Sequence, residues 1–243
     1  MGGAIACAPR SEPDVPSGLR FGRAATGKTS KVTTSSQKQT ARKVLDAFGS
    51  SYADDAGIRM GDTPGPLFQL LCLSLLLSAR IRATIAVAAA RALFAAGWRS
   101  PRKLVASSWE GRTKVLREAG YARYDERTAR MLADAAELLL ERWRGDLRRL
   151  RDEADRRPDR ERELLQAFPG IGPAGADIFA REVQAVWPEH FPTADARSLR
   201  AACHLDLGGD AEALSGLVAR RDFPRLVDGL VRLELDGRYD RLG

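Results

Sequence analysis

The stretch 164–176, LLQAFPGIGPAGA, constrains this chain more than any other, because it spells the end of one helix, a tight turn and the start of a second helix. An apolar helical run stops near Ala167, Gly170 and Gly172 bracket Ile171, and Pro173 stands where the next helix begins. Proline at a first helical position loses nothing by lacking an N–H, since that donor has no partner inside the helix. Glycines permit positive φ and remove side-chain bulk, so the turn can turn its backbone N–H groups toward solvent at the positive end of the following helix. A phosphate oxygen could then approach those amides without any base sequence being read. The plainer reading is a short link between two packed helices.

A second feature lies about twenty residues on, in FPTADARSLR at 191–200, where one acid follows a polar link and heads a new helical run. Asp195 can cap that helix by accepting hydrogen bonds from its free N–H groups. Hairpin, intervening helix and acid together resemble the helix-hairpin-helix (HhH-GPD) DNA glycosylase superfamily, which includes endonuclease III and 3-methyladenine DNA glycosylase. Upstream, LLLSAR at 75–80 is similar to that family's LLSAQ segment, and EAGY at 118–121 to its short glycine link. The resemblance covers roughly residues 40–207.

The resemblance implies an all-α, two-lobed helical glycosylase fold with a helix-hairpin-helix at about 160–182 and a damaged base held in the cleft between lobes. It makes Asp195 the catalytic carboxylate and places Gly170, Ile171, Gly172 and Ala174 against double-stranded DNA. Arg80 would fill the space left by an expelled nucleotide, or simply face solvent. Tyr121 and Tyr124 are candidates for stacking on the expelled base; Trp187 is a third aromatic, for which core packing is the favoured role. The family topology divides the chain into a central lobe, 65–182, and a second lobe of 39–64 plus 183–243.

Departures from the family are informative. Where endonuclease III-like members carry a lysine that attacks the sugar, this chain has Ala174, whose methyl is no nucleophile. Hydrolysis of the glycosidic bond by a monofunctional enzyme is the expected chemistry, and AP-lyase activity is not. Cys7, Cys72 and Cys203 are too few for a four-cysteine iron–sulfur cluster, so no cofactor is expected. His190 and His204 have no ligand constellation around them and read as surface or helix-end residues with no metal. Asp177 falls early in the second hairpin helix, where a negative charge suits the dipole.

Composition is compatible with an anionic partner. The chain has 243 residues, 44% of them hydrophobic, enough for a substantial core, and a formal net charge of +7. Of its 39 basic residues 33 are arginine, and asparagine is absent, which reads as genomic compositional bias rather than phosphate recognition. Scattered cysteines give no disulfide framework, making a reducing cytoplasm the expected location, with nucleoid association when bound to DNA. The longest apolar run, 67–79, is too short to span a bilayer, so no membrane association is expected. A monomer is the expected state.

Residues 1–38, rich in Gly, Ala, Ser, Thr and Pro, read as a mobile tail. Gly22 to Thr29 formally fits G-x-x-x-x-G-K-[ST], but Pro13, Pro16 and Gly18 stand where a buried strand would be needed. From Thr40 the periodicity is helical: 40–48, a polar link to Pro66, apolar helices at 67–79 and 83–96, a helix opened by Ser100-Pro101, then 107–119 and 127–143. The mixed charges of 148–162 read as a solvated face or exposed loop, and 211–220 and 223–232 as closing helices. No sustained period-two pattern appears. Two other functions fit less of this pattern: a non-catalytic helix-hairpin-helix DNA-binding protein, and a helical interaction domain with no DNA role.

Overall fold

A computed structural model of the chain describes residues 34–242, in which thirteen α-helices follow one another. They are α1 (Ser35–Phe48), α2 (Tyr52–Asp55), α3 (Pro64–Ser78), α4 (Ala83–Ala95), α5 (Pro101–Val105), α6 (Trp109–Glu118), α7 (Asp125–Trp143), α8 (Leu147–Glu153), α9 (Pro158–Leu165), α10 (Pro173–Val183), α11 (Ala196–His204), α12 (Ala211–Ser215) and α13 (Phe223–Asp236). Three short 3-10 segments, Pro188–His190, Arg220–Asp222 and Tyr239–Leu242, complete the secondary structure, and the described residues form no strand. The protein is all-α. Gly22 to Thr29, Cys7 and most of the expected tail lie outside the described residues.

Helix α3 has no polar face along PGPLFQLLCLSLLLS, so it has to be enclosed on all sides. It packs against α4, α7, α8 and α10, and nine of its residues from Leu67 to Leu76 are buried. Around it the first hydrophobic cluster collects Leu93 of α4, Leu104 of α5, Leu116 of α6, Leu139 of α7 and Phe179 of α10. The second cluster joins Ala41 and Val44 of α1 to Leu199 of α11, Leu214 of α12 and Leu226 and Leu230 of α13. Each cluster is the core of one lobe, and the second draws on both ends of the described chain.

Three stretches depart from the sequence reading. Helix α1 begins at Ser35 rather than Thr40, because Thr34 caps it in a reciprocal box: Thr34 Oγ1 accepts from Gln37 N at 3.2 Å and Gln37 Oε1 accepts from Thr34 N at 3.0 Å. The polar link after α1 contains α2, capped by Ser51, and Tyr52, Ala53, Ala56 and Ile58 join the first cluster although the family topology groups 39–64 with the second lobe. The charged stretch 148–162 is helical on either side of a turn at 154–157 and exposes the solvated face expected of it, but it also buries Leu150, Arg151 and Glu161. Arg151 forks onto Glu189 at 2.5 and 2.7 Å and reaches Asp62 at 3.1 Å, so its charges are partnered inward rather than hydrated.

Helix α1 lies close against α13 because Gly229 has no side chain. A Cβ there would stand 2.8 Å from Val44 Cγ1 and 3.3 Å from Phe48 Cβ. In an open helix Gly→Ala stabilises, by roughly 0.5–1 kcal/mol. Gly229→Ala should instead destabilise the protein by about 1–3 kcal/mol through overpacking, read as a lower urea midpoint at unchanged slope.

Candidate active site

Helices α9 and α10 with the turn between them form a hairpin. Gly170 has φ +86°, and a Cβ on it would stand 3.1 Å from both Leu75 and the Met131 sulfur. Ser78 Oγ donates to Leu75 O at 2.7 Å and lies 3.3 Å from the Gly170 carbonyl, and Ile171 is buried with its N–H on Phe168 O at 3.0 Å. The turn is thus clamped to the end of α3. Beyond the clamp the chain opens outward: Gly172, Pro173 and Ala174 are exposed, a Cβ on Gly172 would meet nothing within 4 Å, and no side chain caps the first turn of α10. The hairpin therefore presents uncapped amides on an unobstructed surface.

Beside it runs a cleft of about 1150 Å³. The α10 wall supplies Ala174, Ile178 and Arg181, the turn after α3 supplies Arg80 and Arg82, and α2 and α13 supply Tyr52, Arg232 and Leu235. Arg91 and Arg197 also line it. Arg80, Arg82, Arg91 and Arg197 are exposed, giving the rim a strongly positive character. Arg80 and Ala174, 94 positions apart, are brought to one cleft.

Asp195 is the N-cap of α11, its Oδ1 accepting from Ser198 N at 2.9 Å. It is not itself a lining residue of the cleft. Arg181 is, and its Nη1 donates to Asp195 Oδ2 at 2.5 Å while its Nε donates to Asp228 Oδ1 at 2.6 Å. Asp228 Oδ2 accepts from Tyr52 N at 2.8 Å, and neighbouring Glu182 Oε2 accepts from Ala53 N at 3.2 Å. Side-chain exposure is 3% for Arg181, 0% for Asp228 and 13% for Asp195, so of the three only Asp195 reaches solvent appreciably.

Electrostatics follow from this burial. Burial alone would raise the Asp195 pKa, but the Arg181 guanidinium and the Ser198 hydrogen bonds outweigh it and hold the carboxyl below its ordinary range. Glu182 goes the other way: burial, then the Asp228 charge, push its pKa well above the glutamate value, so it keeps a proton. Arg181 keeps its charge because the neighbouring carboxylates outweigh its desolvation. With Glu182 neutral, one guanidinium stands between two carboxylates, and the cluster carries one formal negative charge.

Sequence reasoning missed Arg181, Glu182, Asp228, Tyr52 and Arg232. A usable signal was present for three of them, since Arg181 and Glu182 interrupt IFAREVQAVW and Asp228 interrupts LVDGLV, charged residues inside apolar runs. The structure corrects Tyr121, Tyr124 and His190 among the expectations, and agrees with the core reading of Trp187 and the helix-end reading of His204. Tyr121 is fully buried with its hydroxyl on Leu76 O at 3.2 Å, and Tyr124 is half-buried against the first cluster at the start of α7, so neither lines the cleft. Trp187 is core, donating to Asp62 at 3.0 Å. His190 is buried and bonded to Glu161 rather than being at the surface; His204 is exposed against the Tyr239 ring. Asp177 faces Arg162 at 3.6 Å. Among the described residues no group of three or more His, Cys, Asp or Glu could hold a metal ion, and no helix is long and apolar enough to cross a membrane.

No family model and no curated protein sequence matches the chain. Among solved structures it is similar to a trapped covalent intermediate of endonuclease III with DNA in an estranged-adenine complex, at 18% identity and TM-score 0.45 over 81% of this chain and 85% of that one. It is also similar to a non-covalent endonuclease III–DNA complex, at 16% identity and TM-score 0.49 over 79% and 81%.

Two glycines of one turn should behave oppositely. Gly170→Ala forces a side chain into positive φ and against Leu75 and Met131, and should cost about 1–3 kcal/mol in chemical denaturation; Gly172→Ala should change stability by less than about 0.5 kcal/mol. Glu182 gives a pH prediction. Above the ordinary glutamate range the unfolded chain releases a proton that the folded protein retains, so the native state binds more protons and this group's contribution to stability falls as pH rises. Glu182→Gln keeps an acceptor for Ala53 N and a donor toward Asp228 but cannot ionise. Its stability relative to the parent should therefore rise between pH 4.5 and neutrality, measured by urea unfolding across that range.

Proposed function

We propose that this protein is a DNA glycosylase of base-excision repair that hydrolyses the N-glycosidic bond of a damaged base without lyase chemistry. The observation that carries the reading is the convergence on one cleft of the exposed, uncapped end of α10, the Arg80 turn and Arg181, which holds the ionised Asp195. The α10 amides and the rim arginines suit the phosphates of one strand, a contact that fixes position and reads no sequence. A damaged nucleotide rotated out of the stack is then delivered to the cleft, at an unstacking cost of a few kcal/mol, and Arg80 is placed to occupy the gap.

Chemistry at the sugar needs a negative group. As the bond between C1′ and the base nitrogen breaks, the base departs with the electron pair and positive charge grows at C1′. The carboxylate pair around Arg181 leaves one net negative charge beside the cleft, which favours that charge. Water adds to C1′ and gives its proton to Asp195, from which it passes to solvent, and the departed base anion takes up a proton from solvent in turn. Ala174 offers no amine, so no covalent sugar adduct forms at that position.

One observation favours a second reading. Both Asp195 oxygens are engaged, by Ser198 N and by Arg181, as they would be in a purely structural cap. A non-catalytic DNA-binding protein would use the same hairpin and rim. Asp195→Asn separates the two: as a glycosylase the protein should lose base release by about 10²–10⁴-fold while keeping duplex affinity, scored as alkali-labile sites on lesion-bearing duplexes. Tight duplex binding with no base released by the parent protein would establish the second reading, and a borohydride-trapped adduct would contradict the role assigned to Ala174.

A further inference from the structure

The segment that leads from α10 to Asp195 is held by side chains from three helices. Arg151 of α8 forks onto Glu189, Glu161 of α9 bonds His190, and within the segment Thr193 Oγ1 donates to His190 O. The third hold is Gln184, the buried C-cap of α10. Its Nε2 donates to Thr193 O at 2.9 Å and to Arg181 O at 2.8 Å, and its Oε1 accepts from Thr193 N at 2.9 Å. One amide takes both backbone groups of Thr193, as a neighbouring strand would, and its two donors and one acceptor leave only one way for the amide to face.

We propose that Gln184 is a positioning residue for the Asp195 carboxylate, referring the backbone from which that side chain projects to the helix that carries the hairpin. This rests on the glycosylase reading above. Two contacts hold the carboxylate itself, from Ser198 N and from Arg181. Ser198 lies on α11 and moves with Asp195, so it sets no distance to α10. Arg181 sets one, to the side chain, and Gln184 at the same end of α10 sets a second, to the main chain two residues before the acid. A point and a direction are then both fixed. Displacing a reacting group by about 1 Å can cost about 10²-fold in rate, and Gln184 is not a lining residue of the cleft, so its effect passes through Thr193 to Asp195 rather than to the substrate.

The test uses the full chain in single-turnover assays on methylated duplex DNA and on duplexes carrying deoxyuridine, deoxyinosine or 8-oxodeoxyguanosine, with affinity measured on a duplex bearing a tetrahydrofuran abasic analogue. Gln184→Met keeps the length of the side chain and removes its polar groups. On whichever substrate the parent acts, this variant should release base about 10–100-fold more slowly while its affinity stays within about twofold of the parent's. Gln184→Glu restores the acceptor for Thr193 N and, while protonated, one donor for a carbonyl, and burial keeps such a proton on to higher pH. The charged and titratable groups around it are Arg181, paired with Asp195 and Asp228, Glu182 beside it on α10, and Glu189 and His190, engaged by Arg151 and Glu161. Its rate relative to Gln184→Met should rise as pH is lowered from about 8 to about 6, since both variants share the titration of Asp195. Parent-like release by Gln184→Met, rate and affinity falling together, a ratio of the two variants that stays flat with pH, or loss of folding in both variants overturns the positioning role while leaving the glycosylase reading intact. Release of no base by the parent from any of these substrates overturns both.

Discussion

A guanidinium buried to 3% exposure governs this structure. Arg181 cannot be left unpaired there, because an uncompensated buried charge costs about 3–5 kcal/mol, and its partners come from two other helices, Asp195 at the head of α11 and Asp228 within α13. Helix α10, which belongs to the first core through Phe179 and Val183, is thereby tied to helices of the second. Asp228 extends the tie to α2 through Tyr52 N, and Glu182 repeats it at Ala53 N. This buried charge therefore joins the two cores beside the cleft.

The same helix also presents the hairpin. Its eleven residues span about 16 Å, with exposed, uncapped amides at one end and Arg181 eight residues on. A group held at the hairpin and a group held near Asp195 are therefore referred to a single rigid element rather than to two loops. That economy explains why Gly170 is packed hard against Leu75 and Met131 while Gly172 faces open space: the first glycine sets the helix on the core, and the second leaves its end clear.

Much of this was legible in the sequence, and the boundary of legibility is physical. The glycine turn, the Pro173 start and the Asp195 cap are local signals, fixed by φ preferences and by unpaired helix donors within a few residues, and the structure has the turn and the cap where the sequence puts them. The enclosed helix α3 was legible from its lack of a polar face. Tyr121 and His190 were misread because an aromatic or imidazole ring is amphipathic, and its burial is decided by distant elements: Leu76 O lies 45 positions from Tyr121, and Glu161 lies 29 from His190. The Arg181–Asp228 and Tyr52–Asp228 bonds span 47 and 176 positions, so no window of sequence contains them. Charged residues inside apolar runs marked where such pairs had to exist, without marking their partners.

Burial also gives one residue type two roles in a single cleft. Arg80, Arg82, Arg91 and Arg197 are exposed and hydrated, so their field extends into solvent, is screened over about 8–10 Å at ordinary salt, and attracts polyanions without fixing geometry. Arg181 and Arg232 are paired directly with carboxylates, Arg181 in full burial and Arg232 in partial burial, so their charges are matched locally. The rim of the cleft therefore carries free positive charge, whereas the charges of Arg181 and Arg232 are matched by Asp195, Asp228 and Asp55. One residue type thus acts as a diffuse surface field where it is exposed and as a fixed anchor where carboxylates enclose it.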